Sequence, residues 1–294
     1  MDSNILSKSG AFVNKIREIE IYEFYLSKYL VTNMEYRKFI EDDGYINQDY
    51  WIDPIAKGWL TGDEKIINDI KNHWLLTLHE HHRKEMRDGE IDESSIEEEA
   101  IRRTSPRQVP FYWDEPRFNQ DNQPVVGINY WEATAYCIWA TKIGHELKGL
   151  NKKKIFSVPT EFEWERASKE NNDERMYPWG NEWDEDKAHV STNTLNIREP
   201  SPVGIYLESW ENGPFDMAGN VWEWTASLKY SYDKKYDKKR FNIGSFKERI
   251  VRGSSWYNCS VVSACSSRAL DRGYNLFYDV GFRMIKIDKD IERL

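Results

Sequence analysis

Three cysteines in 294 residues, Cys137, Cys259 and Cys265, are too few for a disulfide framework, and at least one stays unpaired within the chain. No stretch approaches the ~20 consecutive apolar residues that span a bilayer. The mean hydropathy of -0.78 agrees, and membrane insertion is not expected. The first residues, Met1-Asp2-Ser3-Asn4, lack the basic start and apolar run of a secretory leader, so a cytoplasmic or virion-associated location is expected. Positive charge is in short supply: 41 Lys and Arg stand against 50 Asp and Glu, for a formal charge of -9. Such a surface repels phosphate backbones, and nucleic acid is not an expected partner. Internal repeats and low-complexity linkers are also lacking, and the chain is read as one domain over 1–294.

Aromatic side chains are abundant: 13 Trp, 17 Tyr and 12 Phe. Rings bury much area with few rotatable bonds, and so suit a fold poor in regular structure. Residues 19–31 read as short strands. A helix fits Asn33 to Glu41, with Thr32 as N-cap and Tyr36, Phe39 and Ile40 on one face. Residues 52–108 are heavily charged, with the run Glu97-Glu98-Glu99. They are expected to form a largely helical, solvated insertion pinned by Trp59, Trp74 and Leu78; a structureless loop is the alternative. A second long helix starts near Trp131, and Thr160 with Glu163 forms a capping box opening a shorter one. Trp222–Trp224, Arg249–Trp256 and Val280–Ile287 are the strand candidates. Two helices early and a loop-rich β region late give an α+β class.

Read in order, several motifs resemble one family. They are Tyr29-Leu30-Val31-Thr32-Asn33, Pro124-Val125-Val126-Gly127, Trp131-Glu132-Ala133, Pro159-Thr160-Glu161-Phe162-Glu163-Trp164-Glu165 and Tyr177-Pro178-Trp179-Gly180. Asp216-Met217-Ala218-Gly219-Asn220-Val221-Trp222-Glu223-Trp224, Arg252-Gly253-Ser254-Ser255-Trp256 and Gly281-Phe282-Arg283 complete the set. The chain resembles the formylglycine-generating, or sulfatase-modifying factor, family, over nearly its whole length apart from 52–108. The resemblance implies a variant of the C-type lectin-like fold. It also implies a structural calcium loop at Asp216, Gly219, Val221 and Glu223, two carboxylates plus carbonyls. The competing reading makes Glu223 a structural carboxylate.

Family members that oxidise a sulfatase cysteine hold copper between two thiolates four residues apart, just after the Gly-Gly-Ser-aromatic motif. Here Asn258 stands where the first thiolate falls, and Cys259 and Cys265 come later with five residues between them. Copper is therefore not expected. Relatives that form a sulfoxide bond use iron held by histidines on a separate helical domain; His79, His81 and His82 lie in 52–108 without an evident third ligand. The expectation is a chain that is not an enzyme. A copper- or iron-dependent oxidase is the alternative.

Residues 257–283 contain no Lys, Glu, Gln, Trp or Met. Codons ending in C or T never encode those five, and an Asn codon with both adenines randomised yields the residue types found here. The pattern is similar to the variable proteins of diversity-generating retroelements, several of which use this fold. On that resemblance, Tyr257, Asn258, Cys259, Val261, Leu270, Asp271, Gly273, Tyr274, Leu276, Phe277 and Tyr278 form a displayed surface for a changing protein or cell-surface ligand. Such side chains must be exposed, so alanine at Tyr257, Tyr274 or Phe277 is expected to leave stability unchanged. The other reading makes these rings ordinary core.

Overall fold

A computed structural model describes residues 12–13, 21–170, 174–191, 197–206, 209–229 and 246–291. The part of 19–31 before Ile21 lies outside them. Three helices begin with the same reciprocal cap. Thr32 opens α1 (Asn33–Glu41) and takes the Glu35 amide while Glu35 takes that of Thr32. Asn129 and Glu132 do the same for α6 (Tyr130–Leu147), and Thr160 and Glu163 for α7 (Glu161–Lys169). Each cap satisfies two amides that a helix start leaves without partners. Between the first two lie α2 (Pro54–Thr61), α3 (Glu64–His81), α4 (Arg83–Arg87) and α5 (Glu93–Thr104), all within 52–108.

Trp59 and Trp74 are buried among these helices, and Trp59 donates to the Thr104 carbonyl at 3.0 Å. Its ring lies 5.8 Å from Trp51 and 6.1 Å from Trp131, so one aromatic core runs from α2 into α6. Among the described residues, no helix is long and apolar enough to cross a membrane.

Two sheets carry the rest. Strands β1 (Phe12–Val13), β6 (Ser267–Arg272), β5 (Glu248–Arg252), β4 (Trp222–Leu228) and β7 (Val280–Gly281) line up in the order β1-β6-β5-β4-β7. β4 and β7 run parallel, with Trp222 opposite Val280. The second sheet is β2 (Tyr25–Leu26), β8 (Ile285–Asp288) and β3 (Lys154–Ser157), all antiparallel. The mixture of helices with two separate sheets is α+β, the class expected from the sequence.

β6 falls inside the segment expected to be displayed. Its backbone is paired to β5, Ile250 against Leu270 and Arg249 against Asp271, so this stretch is part of a sheet rather than a loop. Ahead of β4, Gly219 and Asn220 both take positive φ, 77° and 62°. A Cβ on Gly219 would sit 2.3 Å from the His189 carbonyl oxygen, a contact no side chain tolerates.

Candidate functional site

Three buried arginines tie the strand ends to carboxylates elsewhere in the chain. Arg252, at the end of β5, pairs with Glu165 of α7 and donates to the Ser267 carbonyl at 2.5 Å. Arg268 of β6 pairs with Glu161 at 3.0 Å. Arg283 meets Glu223 of β4 through two bonds of 2.6 and 2.8 Å, and both side chains are fully buried. Planar guanidinium and carboxylate groups match in this way, so the pair fixes β4 against the strand exit at 283.

Glu223, expected as a calcium ligand, turns both of its carboxylate oxygens to Arg283. Asp216 accepts from the Gly204 amide at 2.9 Å, and burial pushes its carboxyl up to about 6. Val221 is fully buried, and the Gly219 amide donates to the Gly253 carbonyl at 2.7 Å. Among the described residues no group of three or more His, Cys, Asp or Glu comes together that could hold an ion. His79 instead pairs with Glu93 at 3.0 Å, and the His81 and His82 rings pack on each other.

The turn after β5 projects the first part of 257–283 outward. Gly253 and Ser254 both have positive φ, 97° and 69°, which reverses the chain and brings Trp256 back over Val221 and Leu30. Tyr257 then stands 58% exposed and Val261 64%, with Cys259 exposed between them. Asn258, Leu270, Asp271, Phe277 and Tyr278 are half-buried. Tyr278 lies at the centre of a ring cluster, 5.5 Å from Trp256, 6.1 Å from Tyr257, 6.1 Å from Phe118 and 6.2 Å from Tyr112. Half-buried Tyr112 and buried Phe118 come from the stretch before α6 and support Tyr278 from below, a backing that the sequence window did not include.

The remaining three assignments are corrected. Gly273, Tyr274 and Leu276 are buried. Tyr274 packs against Trp131, Phe246 and His73, and its hydroxyl meets an Arg272 nitrogen at 3.1 Å. They are core because β6 delivers the chain beneath α3 and α6 before it returns to the surface at Tyr278.

A family model described as a sulfatase-modifying factor enzyme 1-like domain matches residues 5–287. The chain belongs to that family. The chain is 24% identical over 263 residues to inactive C-alpha-formylglycine-generating enzyme 2 of Bos taurus, covering 85% of this chain and 70% of that protein. It is 23% identical over 294 residues to formylglycine-generating enzyme of Mus musculus, with coverages of 91% and 67%. Against hercynine oxygenase of Mycobacterium tuberculosis it is 27% identical over 278 residues, 90% of this chain but only 53% of that protein. The solved Treponema denticola variable protein 1 shares 22% identity, with a TM-score of 0.47 over 60% of this chain and 74% of that one. Because the sulfatase-modifying factor family includes proteins named as enzymes, the expectation that this chain is not an enzyme is overturned.

The departure at Asn258 concerns one metal site. Family copper needs two thiolates side by side, and the donors here do not fit. Cys265 is fully buried, its thiol is pushed up to about 12 by burial, and it donates weakly to the Ser168 carbonyl at 3.7 Å. Cys259 faces solvent. Asn258, in the first thiolate's place, accepts from the Trp222 indole at 2.7 Å. A thiol held neutral is a poor ligand and a poor nucleophile. In the native protein one thiol per chain, Cys259, is therefore expected to react quickly with an aromatic disulfide reagent, and all three after denaturation. Rapid loss of a second thiol without denaturant contradicts the burial of Cys265.

Proposed function

We propose that the chain recognises a protein ligand through the face formed by Tyr257, Asn258, Cys259, Val261, Phe277 and Tyr278, backed by Tyr112 and Phe118. The observation that carries this reading is Tyr257: a large ring more than half exposed, yet anchored edge-on to Trp256 and Tyr278. Exposed rings held rigid by other rings give contact area with little entropy lost on binding, and polar neighbours adapt to the partner. The hydroxyls of Tyr257 and Tyr278 add directional bonds.

The residue types at Tyr257, Asn258, Cys259, Val261, Phe277 and Tyr278 are all reachable from an adenine-rewritten Asn codon, which supports diversification confined to these two stretches. A copy of the gene's 3′ end nearby in the DNA, differing at adenines, is the expected trace; its absence removes this part of the reading.

The binding test uses a phage-displayed library of random peptides selected on the purified chain. Enriched peptides are expected to lose about 10-fold or more in affinity on Tyr257→Ala, an interface anchor being worth about 2 kcal/mol. The melting temperature should hold, and alkylation of Cys259 should block the same peptides. Peptides that bind the Tyr257→Ala and alkylated proteins as well as the parent overturn the assignment.

A further inference from the structure

Beneath Tyr257 lies a short run of polar groups whose protons can be counted. The Trp222 Nε1–H donates to the Asn258 side chain at 2.7 Å. An indole N–H can only donate, so the atom it meets is the amide oxygen. Ser255 Oγ lies 2.8 Å from that same oxygen and 2.7 Å from Asp279 Oδ2, and it accepts from the Tyr257 amide at 3.3 Å. A hydroxyl carries one proton. If Asp279 is ionised, Ser255 sits between two acceptors and serves only one, and the other close oxygen–oxygen contact has no proton in it. With a proton on Asp279 Oδ2 every contact closes. Asp279 donates to Ser255, Ser255 donates to Asn258, and Ser255 keeps its second lone pair for Tyr257.

We propose that the folded chain holds one proton in the Asp279–Ser255–Asn258 network, and that this proton sets the Tyr257 edge of the ligand face, making recognition there proton-linked. The linkage rests on the ligand face proposed above; the proton does not.

The surroundings agree. Tyr278 precedes Asp279 and its ring meets those of Tyr257 and Tyr112, side chains that carry no cation, and burial raises the Tyr278 hydroxyl to about 12. From the end of β6, Asp271 faces the same side; burial, with the Asp279 charge adding to it, pushes the Asp271 carboxyl up to about 8, so it brings no cation and Asp279 loses its proton first. Arg103 of α5 is the cation on this side, but its Nη1 donates to the Leu276 carbonyl and its Nε to Glu99. Among the described residues Asp279 has no ion-pair partner, and burial pushes its carboxyl up to about 6. A carboxyl raised above its unfolded value is protonated, and the network closed, at low pH. The network opens as pH rises through about 6.

The indole N–H of Trp222 reports this directly. In nitrogen-15-labelled protein its resonance, assigned by Trp222→Phe, is expected to titrate with a midpoint near about 6. Asp279→Asn, whose amide donates to Ser255 at every pH, should freeze it at the low-pH position, and Asp271→Asn should leave the titration in place. Peptides selected as above are expected to bind the parent about 3–10-fold more weakly at about pH 8 than at about pH 5, the worth of one hydrogen bond, and Asp279→Asn equally at both. An indole resonance that stays still across this range, or moves the same way in Asp279→Asn, overturns the held proton. A titrating resonance with pH-independent peptide affinity overturns the linkage, while loss of those peptides on Tyr257→Ala still upholds the ligand face.

Discussion

Arg283→Met is expected to cost about 3–5 kcal/mol, the usual penalty for removing one partner of a buried ion pair. That is a large part of the 5–15 kcal/mol by which a typical domain is stable. The cause is less the lost attraction than the Glu223 carboxylate left behind, fully buried without its counter-charge and with only the Trp164 indole to support it. Burial already pushes the Glu223 carboxyl up, with Arg283 the chief opposing influence. Without Arg283 its pKa rises further, so the variant should lose least stability at low pH, where the acid is neutral, and most as pH rises. Arg283→Met with Glu223→Gln should therefore be more stable than Arg283→Met alone. Urea denaturation at two pH values checks both statements. A single variant within about 1 kcal/mol of the parent shows that the pair does not hold β4 in place.

Tyr274→Ala is expected to cost about 3–5 kcal/mol, as for other fully buried rings. Tyr274 is 3% exposed and wedged between α6, α3 and Phe246, and no neighbouring side chain can collapse into the volume of a phenol ring. Tyr257→Ala, seventeen residues earlier in the same segment, should shift stability by less than about 0.5 kcal/mol. Thermal melts of the two variants side by side decide the matter. Equal melting temperatures would mean that the segment is displayed along its whole length, and a large drop for Tyr257 would mean that none of it is.

The contrast explains what could be read from sequence and what could not. Two helix starts were legible because caps are local: Thr32 reads as an N-cap, and Thr160 with Glu163, three residues apart, as a capping box. The Asn129–Glu132 box that opens α6 was missed, and periodicity placed that helix near Trp131. A strand over Trp222–Trp224 sets both rings on one face and Glu223 on the other, but it does not give the partner of Glu223, which lies sixty residues away at Arg283. Residue types across 257–283 carried a compositional pattern with no directional content. Whether Leu270 or Tyr274 faces water depends on β6 pairing with β5, and that pairing exists only once residues far apart in the chain have met. Likewise nothing local joins Asp279 to Ser255, which the fold brings to 2.7 Å across twenty-four residues. Nor did the cysteine spacing say which thiol meets solvent: Cys259 is exposed and Cys265 buried.

The most direct test of the account is amide hydrogen exchange with and without a bound peptide selected on the intact chain. Protection is expected at residues 255–261 and 277–279, with lesser slowing around Tyr112 and Phe118 and little change elsewhere. Protection centred on another surface, such as the groove between β2, β8 and α6 lined by Trp139, Phe156 and Met284, with 255–261 unaffected, would contradict it.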